Sequence, residues 1–297
     1  MKRTHLIRHV KYEVFLLPAL LSFTLFTVIP LIKTLMYSFT DFDGVVHGYN
    51  FVGFSNYAKV FRDDVMKQAL FSTLFYTFCT MLLINLFSIP LAVLLDKPSR
   101  LKTIERAVLF FPSVISSLLI GYIWGYILSP LKSGALNSIL NTLLGMKPVA
   151  WTSDLVLSKF SIILVAVWTN TGWHTVVNLA YLQSISPEYY EAASIDGATR
   201  LQQFRYITVP LLAPALTINT LLLLTNGLKV YDLPYALTKG GPGFANYTVT
   251  QIIIQRGISE KQYGVSTALS AIFILLVMVI AVLQFTTMRK KEEDIVS

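Results

Sequence analysis

Six apolar stretches, near residues 13–33, 70–95, 107–129, 159–182, 211–232 and 264–286, occupy so much of this chain that little else about its fold can vary. Each is long enough for a helix to cross a bilayer, which takes about 20 residues. In hydrocarbon the backbone N–H and C=O groups of a spanning segment must be satisfied from within it, so these stretches are expected as α-helices. Of the 297 residues 54% are apolar and 13% charged, a balance too greasy for a water-soluble core. The remaining segments are too short for a separate soluble domain, so catalytic or nucleotide-binding machinery is expected from other chains. The expected fold is an all-α integral membrane protein with six transmembrane helices over 13–286, a leading segment 1–12 and a tail 287–297.

A net charge of +8 would fit nucleic acid, but the basic residues flank the spans instead of sharing one face. Lys2, Arg3, Arg8 and Lys11 precede the first; Lys97, Arg100, Lys102 and Arg106 separate the second from the third; Arg200 and Arg205 separate the fourth from the fifth; Arg289, Lys290 and Lys291 follow the sixth. The other three connections are longer, with roughly half the basic density, so the positive-inside rule puts both termini and the 183–210 segment in the cytoplasm. Cys79, the single cysteine, lies inside the second span and closes disulfide, redox-motif and zinc readings. The first stretch follows a basic start, as a signal peptide does, but it is long, holds Pro18 and Pro30 and lacks a small-residue cleavage pattern; it reads as a retained span.

Among the outer connections, 34–69 has turn residues around Tyr49, Phe51, Phe54 and Tyr57, aromatics suited to a membrane interface, in a lid or anchor segment. In 130–158, Leu136, Ile139, Leu140, Leu143 and Leu144 recur at helical spacing between Ser133-Gly134 and Gly145, which predicts a short surface helix. The run Gly240-Gly241-Pro242-Gly243 lacks the Lys-Ser/Thr and following helix of a phosphate-binding loop and reads as a turn. Asn246 opens a glycosylation sequon, relevant only in a eukaryotic secretory pathway. Gly121 and Gly125, four apart in the third span, suit close helix packing.

The segment from Gln183 to Pro210 has more local structure written into it. Ser186 can cap a helix whose first residue is Pro187, carrying Glu191, Ala192 and Ala193. Asp196-Gly197 should break it, glycine taking the left-handed conformation and aspartate capping the next helix. Ala198, Leu201, Phe204 and Ile207 then form an apolar stripe up to Pro210, which should close that helix and start the next span. On physical grounds alone this is either an interfacial helix pair stiffening the junction or a docking loop.

Read as E-A-A-x3-G-x9-I-x-L-P, the segment resembles the signature of ABC transporter importer permeases: Glu191, Ala192, Ala193, Gly197, Ile207 and Pro210 stand at the family spacing, with Val209 in place of leucine. The start PALLSFTLFTVIP, FVGFSNYAKVF, LQSISPEYYEAASIDGA and YALTKGGPG extend the resemblance over almost the whole chain, to the carbohydrate-uptake branch and its maltose-type first permease in a six-span form. The resemblance implies that Glu191 to Ala198, with Asp196 and Gly197 at the turn, together with Ile207 and Pro210, form the coupling helix that docks on an ATPase. It further implies no cofactor in this chain, ATP and magnesium being used by a dimer of partner ATPase subunits, with a second homologous permease and an extracytoplasmic solute-binding protein as the other partners. The implied location is the cytoplasmic membrane of a bacterium or archaeon.

Polar side chains inside a bilayer are costly and usually face a cavity or another helix. In span four Asn170, His174 and Asn178 are four apart, with Trp173 alongside. An aromatic ring can pack on the C–H face of a pyranose while amides satisfy its hydroxyls. The resemblance implies that Trp168, Asn170, Gly172 and Trp173 line the sugar path; the residues equally allow hydrogen bonds to a neighbouring helix. Span five offers Asn219, Leu223, Asn226 and Val230 on one face with Gly227 adjacent. Lys229 and Asp232, three apart near its outer end, read first as an ion pair or a snorkelling lysine.

His174 could suggest a proton relay, but no carboxylate lies mid-span to carry the proton onward. An intramembrane enzyme would need H-E-x-x-H, G-x-S-x-G or a buried aspartate pair in the spans, and none is there. A channel or ion-driven carrier would have no use for a capped loop facing an ATPase. The expectation is a binding-protein-dependent importer permease for a sugar or oligosaccharide, not itself an enzyme, with no nucleic-acid partner and with glycerol phosphate or another polyol as the alternative cargo.

Overall fold

The computed structural model describes residues 15–45, 48–96 and 101–296; the expected leading segment 1–12 and the basic residues Lys97 and Arg100 lie outside the described residues. Among these residues there is no strand, only an isolated bridge between Thr40 and Phe51. The helices are α1 (Phe15–Tyr37), α2 (Ser55–Arg62), α3 (Asp64–Asp96), α4 (Lys102–Val114), α5 (Ser117–Ile127), α6 (Ala135–Leu144), α7 (Leu157–Leu182), α8 (Glu188–Ile195), α9 (Arg200–Leu211), α10 (Ala213–Leu228), α11 (Asp232–Thr238), α12 (Val249–Ile254) and α13 (Tyr263–Val296).

Four expected spans form single helices long and apolar enough to cross a membrane: α1, α3, α7 and the Tyr263–Met288 part of α13. The third and fifth, expected as single spans, are instead bent pairs: α4 and α5 meet at 94°, α9 and α10 at 66°. Proline accounts for both breaks. Pro112 cannot donate to the carbonyl of Val108, and after Val114 the chain turns extended at Ile115 (ψ 139°) and Ser116 (ψ 133°). Pro210 and Pro214 flank Leu212, and the bond from residue 214 back to the 210 carbonyl cannot form because proline has no N–H. Pro210 therefore does not close its helix as expected; α9 runs one residue further. Upstream of Pro210 the ladder widens into a π turn at Phe204–Thr208, and the same arrangement, Thr24–Val28, precedes Pro30 in α1.

The chain forms two compact units, one of residues up to Asp63 with Ile253–Leu275, the other of Asp64–Ile252 with the residues from Leu276 on. In the first, Phe39 rings pack on Phe51, Phe54 and Tyr57 at centroid distances of 6.3, 5.4 and 5.3 Å, so the aromatics of this connection cluster together. Buried Asn56 donates to the carbonyls of Ser38 (3.0 Å) and Thr40 (2.7 Å). Arg256 pairs with Asp63 at 2.7 Å and Glu260 at 2.6 Å.

In the second unit α7 is the central helix. Its Ile162, Val165 and Ala166 pack with Ile120, Leu128, Leu233 and Leu237; Ile163 and Val167 with Ile84 and Leu223; Leu179 and Leu182 with Ala92, Leu95, Leu212 and Ala215. Its buried threonine hydroxyls bond within the helix, Thr169 to the Val165 carbonyl (2.8 Å), Thr171 to Val167 (2.6 Å) and Thr175 to Thr171 (2.7 Å), so they leave no unsatisfied donor in an apolar setting. Gly121 packs against Ala236 of α11, whereas the space beside Gly125 reaches only the tip of Leu237.

The predicted surface helix is α6, ended by Gly145 in the left-handed region (φ 63°). Within it Asn137 is 1% exposed and holds the whole connection: it donates to the carbonyls of Ser129, Leu131 and Val149 and accepts from the Val149 N–H and the Trp151 indole, both at 3.0 Å. Asn137→Leu leaves two half-buried donors, the Val149 N–H and the Trp151 indole, without their acceptor, at about 1 kcal/mol each. Limited proteolysis of the purified protein should then cut within 129–156 about tenfold faster than in the wild type; an unchanged rate would show that the connection does not depend on Asn137. The Gly-rich run is a turn, as expected: Asn246 donates to Ser158 Oγ (2.8 Å) and the Gly241 carbonyl (2.5 Å), Ser72 to the Ala245 carbonyl (2.7 Å), and the Val249 N–H to Thr73 Oγ1 (2.9 Å). The sequon amide is thus occupied and buried.

Candidate functional site

A cavity of about 560 Å³ lies in the second unit among α3, α5, α7, α10 and the residues after α10. Tyr76, Thr80 and Ile84 face it from α3, Ser117 and Ile120 from α5, Ala166, Thr169, Asn170 and His174 from α7, and Leu223, Asn226 and Gly227 from α10. Six residues picked out from sequence line it: Asn170, His174, Leu223, Asn226, Gly227 and Val230. Three others do not. Trp168 sets its ring edge-on to Trp124 at 5.4 Å, and Trp173 packs edge-on to the His174 ring at 4.7 Å, both on exposed parts of α7. Gly172 is buried against the backbone of α4, where a Cβ would run into the carbonyl of Leu109, so its place in the fold is helix packing.

Lys229 and Asp232 do not occupy neighbouring turns of one helix. α10 ends at Leu228, Lys229 caps it, Tyr231 leaves helical geometry (φ −139°), and α11 starts afresh at Asp232. The Thr250 hydroxyl donates to the Lys229 carbonyl at 3.3 Å, satisfying a group freed by the break. Residues Lys229 to Leu233 all face the cavity, and no ion pair joins Lys229 to Asp232 among the described residues. Sequence reasoning set this pair at the interface and passed over Tyr76 and Thr80, although Tyr76, Thr80 and Ile84 recur every four residues along span two as the span-four stripe does.

Below Asn170 the polar stripe turns away to neighbouring helices. His174 Nδ1 meets Asn219 Oδ1 at 3.0 Å, Asn219 Nδ2 donates to Asn178 Oδ1 at 2.6 Å, and Asn178 Nδ2 donates to Ser88 Oγ at 3.0 Å. All four side chains are buried, and the chain ties α7 to α10 and α3. Asn170, by contrast, donates to its own-helix Ala166 carbonyl at 2.8 Å and stays exposed to the cavity.

The 183–210 segment folds as two short helices. α8 starts at Glu188, one residue later than expected, with Pro187 as its cap and Ser186 Oγ accepting from the Glu188 N–H at 3.4 Å. Gly197 takes φ +78° as expected, but Thr199, not Asp196, caps the second helix, in a reciprocal box with Gln202. Tyr190 and Thr208 hydroxyls, 3.1 Å apart, and Gln203 Nε2 on Ser194 Oγ, 2.9 Å, hold the pair together. Glu191, Ala192, Asp196 and Gly197 are exposed; Ala193, Ala198, Ile207 and Pro210 are half-buried. The expected stripe splits, because the π turn at 204–208 shifts the register: Phe204 and Ile207 turn partly inward while Leu201 stays 75% exposed, near Ile195 in sequence at 87%. Exposed apolar side chains on a well-bonded loop are what a docking surface requires.

Apolar helices of spanning length around a polar cavity, with an exposed, hydrogen-bonded loop leading directly into one cavity wall, define a polytopic membrane subunit built for transport. Residues 84–290 match the family described as binding-protein-dependent transport system inner membrane component, and the chain belongs to that family, a multi-pass ABC transporter permease. It is 31% identical over 285 residues, covering 95% of both chains, to the probable starch degradation products transport system permease protein of Thermoanaerobacterium thermosulfurigenes. It is 29% identical over 263 residues, 89% of this chain and 88% of the other, to the trehalose/maltose transport system permease protein of Thermococcus litoralis. In fold it is similar to a chain of a bacterial alginate ABC transporter solved with its alginate pentasaccharide-bound periplasmic protein, with a TM-score of 0.86, 22% identity and 97% of each chain covered.

Proposed function

We propose that this chain is the permease through which a sugar or oligosaccharide is imported across the cytoplasmic membrane of a bacterium or archaeon, by alternating access driven from outside the chain. The observation that carries the reading is the cavity: about 560 Å³ walled by Asn170, Asn226, Thr80, Thr169 and Tyr76, a mixture of amides, hydroxyls and an aromatic ring suited to a polyhydroxylated substrate. The relatives named for starch products and for trehalose/maltose support the cargo class. In this reading both termini and the 183–210 loop are cytoplasmic, and the loop docks on ATPase subunits that hydrolyse ATP with magnesium. A second homologous permease completes the cavity and a solute-binding protein delivers the sugar. ATPase closure pulls on α8 and α9, and α9 passes the movement into α10, which carries Leu223, Asn226 and Gly227 of the cavity wall.

The test is to purify the cognate complex, reconstitute it, and measure which ligand-loaded binding protein stimulates ATP hydrolysis. Stimulation by a sugar-loaded binding protein is expected; stimulation only by a phosphorylated polyol, or transport without the ATPase, would replace the reading. Asn226→Leu should lower sugar uptake by about tenfold, the loss of one or two hydrogen bonds to substrate. Trp173→Ala should change it less, since that ring lies outside the cavity. Equal effects of the two variants in a transport assay would count against the cavity as the path.

A further inference from the structure

We propose that the buried chain Ser88–Asn178–Asn219–His174 makes His174 a specificity-determining residue: it holds the imidazole in its Nδ1–H form and turns a bare Nε2 acceptor on the cavity, where a substrate hydroxyl donates to it. The proposal rests on the reading of the cavity as a carbohydrate path and adds which chemical groups its α3–α7 wall accepts and which it rejects.

The direction of the chain is set by counting donors. Asn219 spends its amide nitrogen on Asn178 Oδ1 at 2.6 Å, which leaves its oxygen 3.0 Å from His174 Nδ1. An amide oxygen can only accept, so Nδ1 carries the hydrogen. A neutral imidazole has one N–H, so Nε2 is left with a lone pair. Asn178 in turn directs its own nitrogen to Ser88 Oγ at 3.0 Å, which fixes its oxygen toward Asn219. His174 lines the cavity, and its bond to Asn219 occupies Nδ1. Nε2, the nitrogen that Asn219 does not engage, is the one left for the cavity.

The rest of that wall has the same sense. Thr80 spends its hydroxyl proton on the Tyr76 carbonyl (2.8 Å) and Thr169 spends its own on Val165 (2.8 Å), while Asn170 donates to Ala166 (2.8 Å). What remains for a substrate on these residues is mostly lone pairs: Thr80 Oγ1, Thr169 Oγ1, Asn170 Oδ1 and His174 Nε2. On this side the Tyr76 hydroxyl and the second amide hydrogen of Asn170 can still donate. Hydroxyl groups suit such a wall because each brings a proton. Phosphate and carboxylate oxygens bring only further lone pairs and would leave most of these acceptors unsatisfied in a place where that is costly. The substrate class is therefore a neutral polyhydroxylated molecule, with its hydroxyl donors on the α3–α7 side and its acceptors toward Asn226 and Lys229.

The full transporter complex, labelled with ¹⁵N-histidine and held in lipid nanodiscs, reads the arrangement directly. Subtracting the spectrum of the His174→Gln complex isolates the His174 signals. A protonated Nδ1 with an unprotonated Nε2 is expected; the opposite tautomer, which both amides turned around would produce, would overturn the proposal whatever the substrate proves to be. In an Asn219→Leu complex the preference should be lost and both tautomers appear; a retained Nδ1–H preference there would remove Asn219 from its positioning role.

Maltotriose added at millimolar concentration should then move the Nε2 resonance and leave Nδ1 in place, with trigalacturonate at least about tenfold less effective. An equal response to trigalacturonate would sink the acceptor wall while leaving carbohydrate transport standing. No response to maltotriose, xylotriose or chitobiose would instead bring down the carbohydrate reading, and the substrate part of the proposal with it.

Discussion

Gly197→Trp is expected to abolish sugar-stimulated ATP hydrolysis by the assembled transporter, while Gly197→Asn leaves it close to the wild-type level. Two observations set this contrast. Gly197 has φ +78°, so a substituted residue must tolerate the left-handed region, and asparagine does so at low cost where most side chains cost about 1–2 kcal/mol. A side chain there would also meet nothing within 4 Å, so the permease by itself has room for an indole. Whatever tryptophan destroys beyond that backbone strain must therefore come from a surface that closes on this turn. A loss of at least about thirtyfold in stimulated hydrolysis, near 2 kcal/mol, is the size expected when an interface centre is blocked. Glu191→Lys, exposed on the same loop, should act in the same direction. The measurement is ATP hydrolysis by the reconstituted complex with loaded binding protein. Equal activity of the tryptophan and asparagine variants would remove the docking role from the turn.

Gly172→Leu should fail one step earlier, at folding. The glycine faces the α4 backbone, and a Cβ would collide with the carbonyl of Leu109. A backbone atom cannot rotate aside as a side chain can, so α4 and α7 must separate or α7 must turn. Overpacking of this kind costs about 1–3 kcal/mol where side chains can yield, and the cost here belongs at the upper end or beyond it. Because α7 packs against α3, α4 and α11 together, the damage spreads through the second unit. The expected result is a protein that unfolds at markedly lower temperature in detergent and accumulates poorly in the membrane. A variant of wild-type thermal stability would show that the two helices do not lie this close. By contrast, Trp168→Ala removes a half-exposed ring and should leave stability nearly unchanged, which separates the two ends of the stretch that sequence reasoning grouped together.

The bent spans show where local reading stopped. Pro112, Pro210 and Pro214 were all visible in the sequence, but hydropathy treats an apolar run as continuous whether or not its hydrogen-bond ladder closes. The 94° and 66° bends come from missing N–H donors and from where the two halves find packing partners. Lys229 and Asp232 were misread for the same reason. Their spacing implied adjacent turns of one helix, and the helix had already ended at Leu228.

What the sequence determined by itself is what depends on neighbours along the chain: the six apolar segments, the Gly145 and Gly197 helix ends, the turn at Gly240 to Gly243, and the E-A-A loop spacing. What only the tertiary structure decided is which polar groups meet. Asn170, His174 and Asn178 form one stripe on the helix, and nothing local distinguishes them. Asn170 opens on the cavity, Asn178 reaches Ser88 ninety residues away, and His174 stands between, bound to Asn219 through Nδ1 while lining the cavity. A buried polar side chain takes its role from its partner, and that partner is supplied by a different helix whose distance and rotation no local pattern encodes.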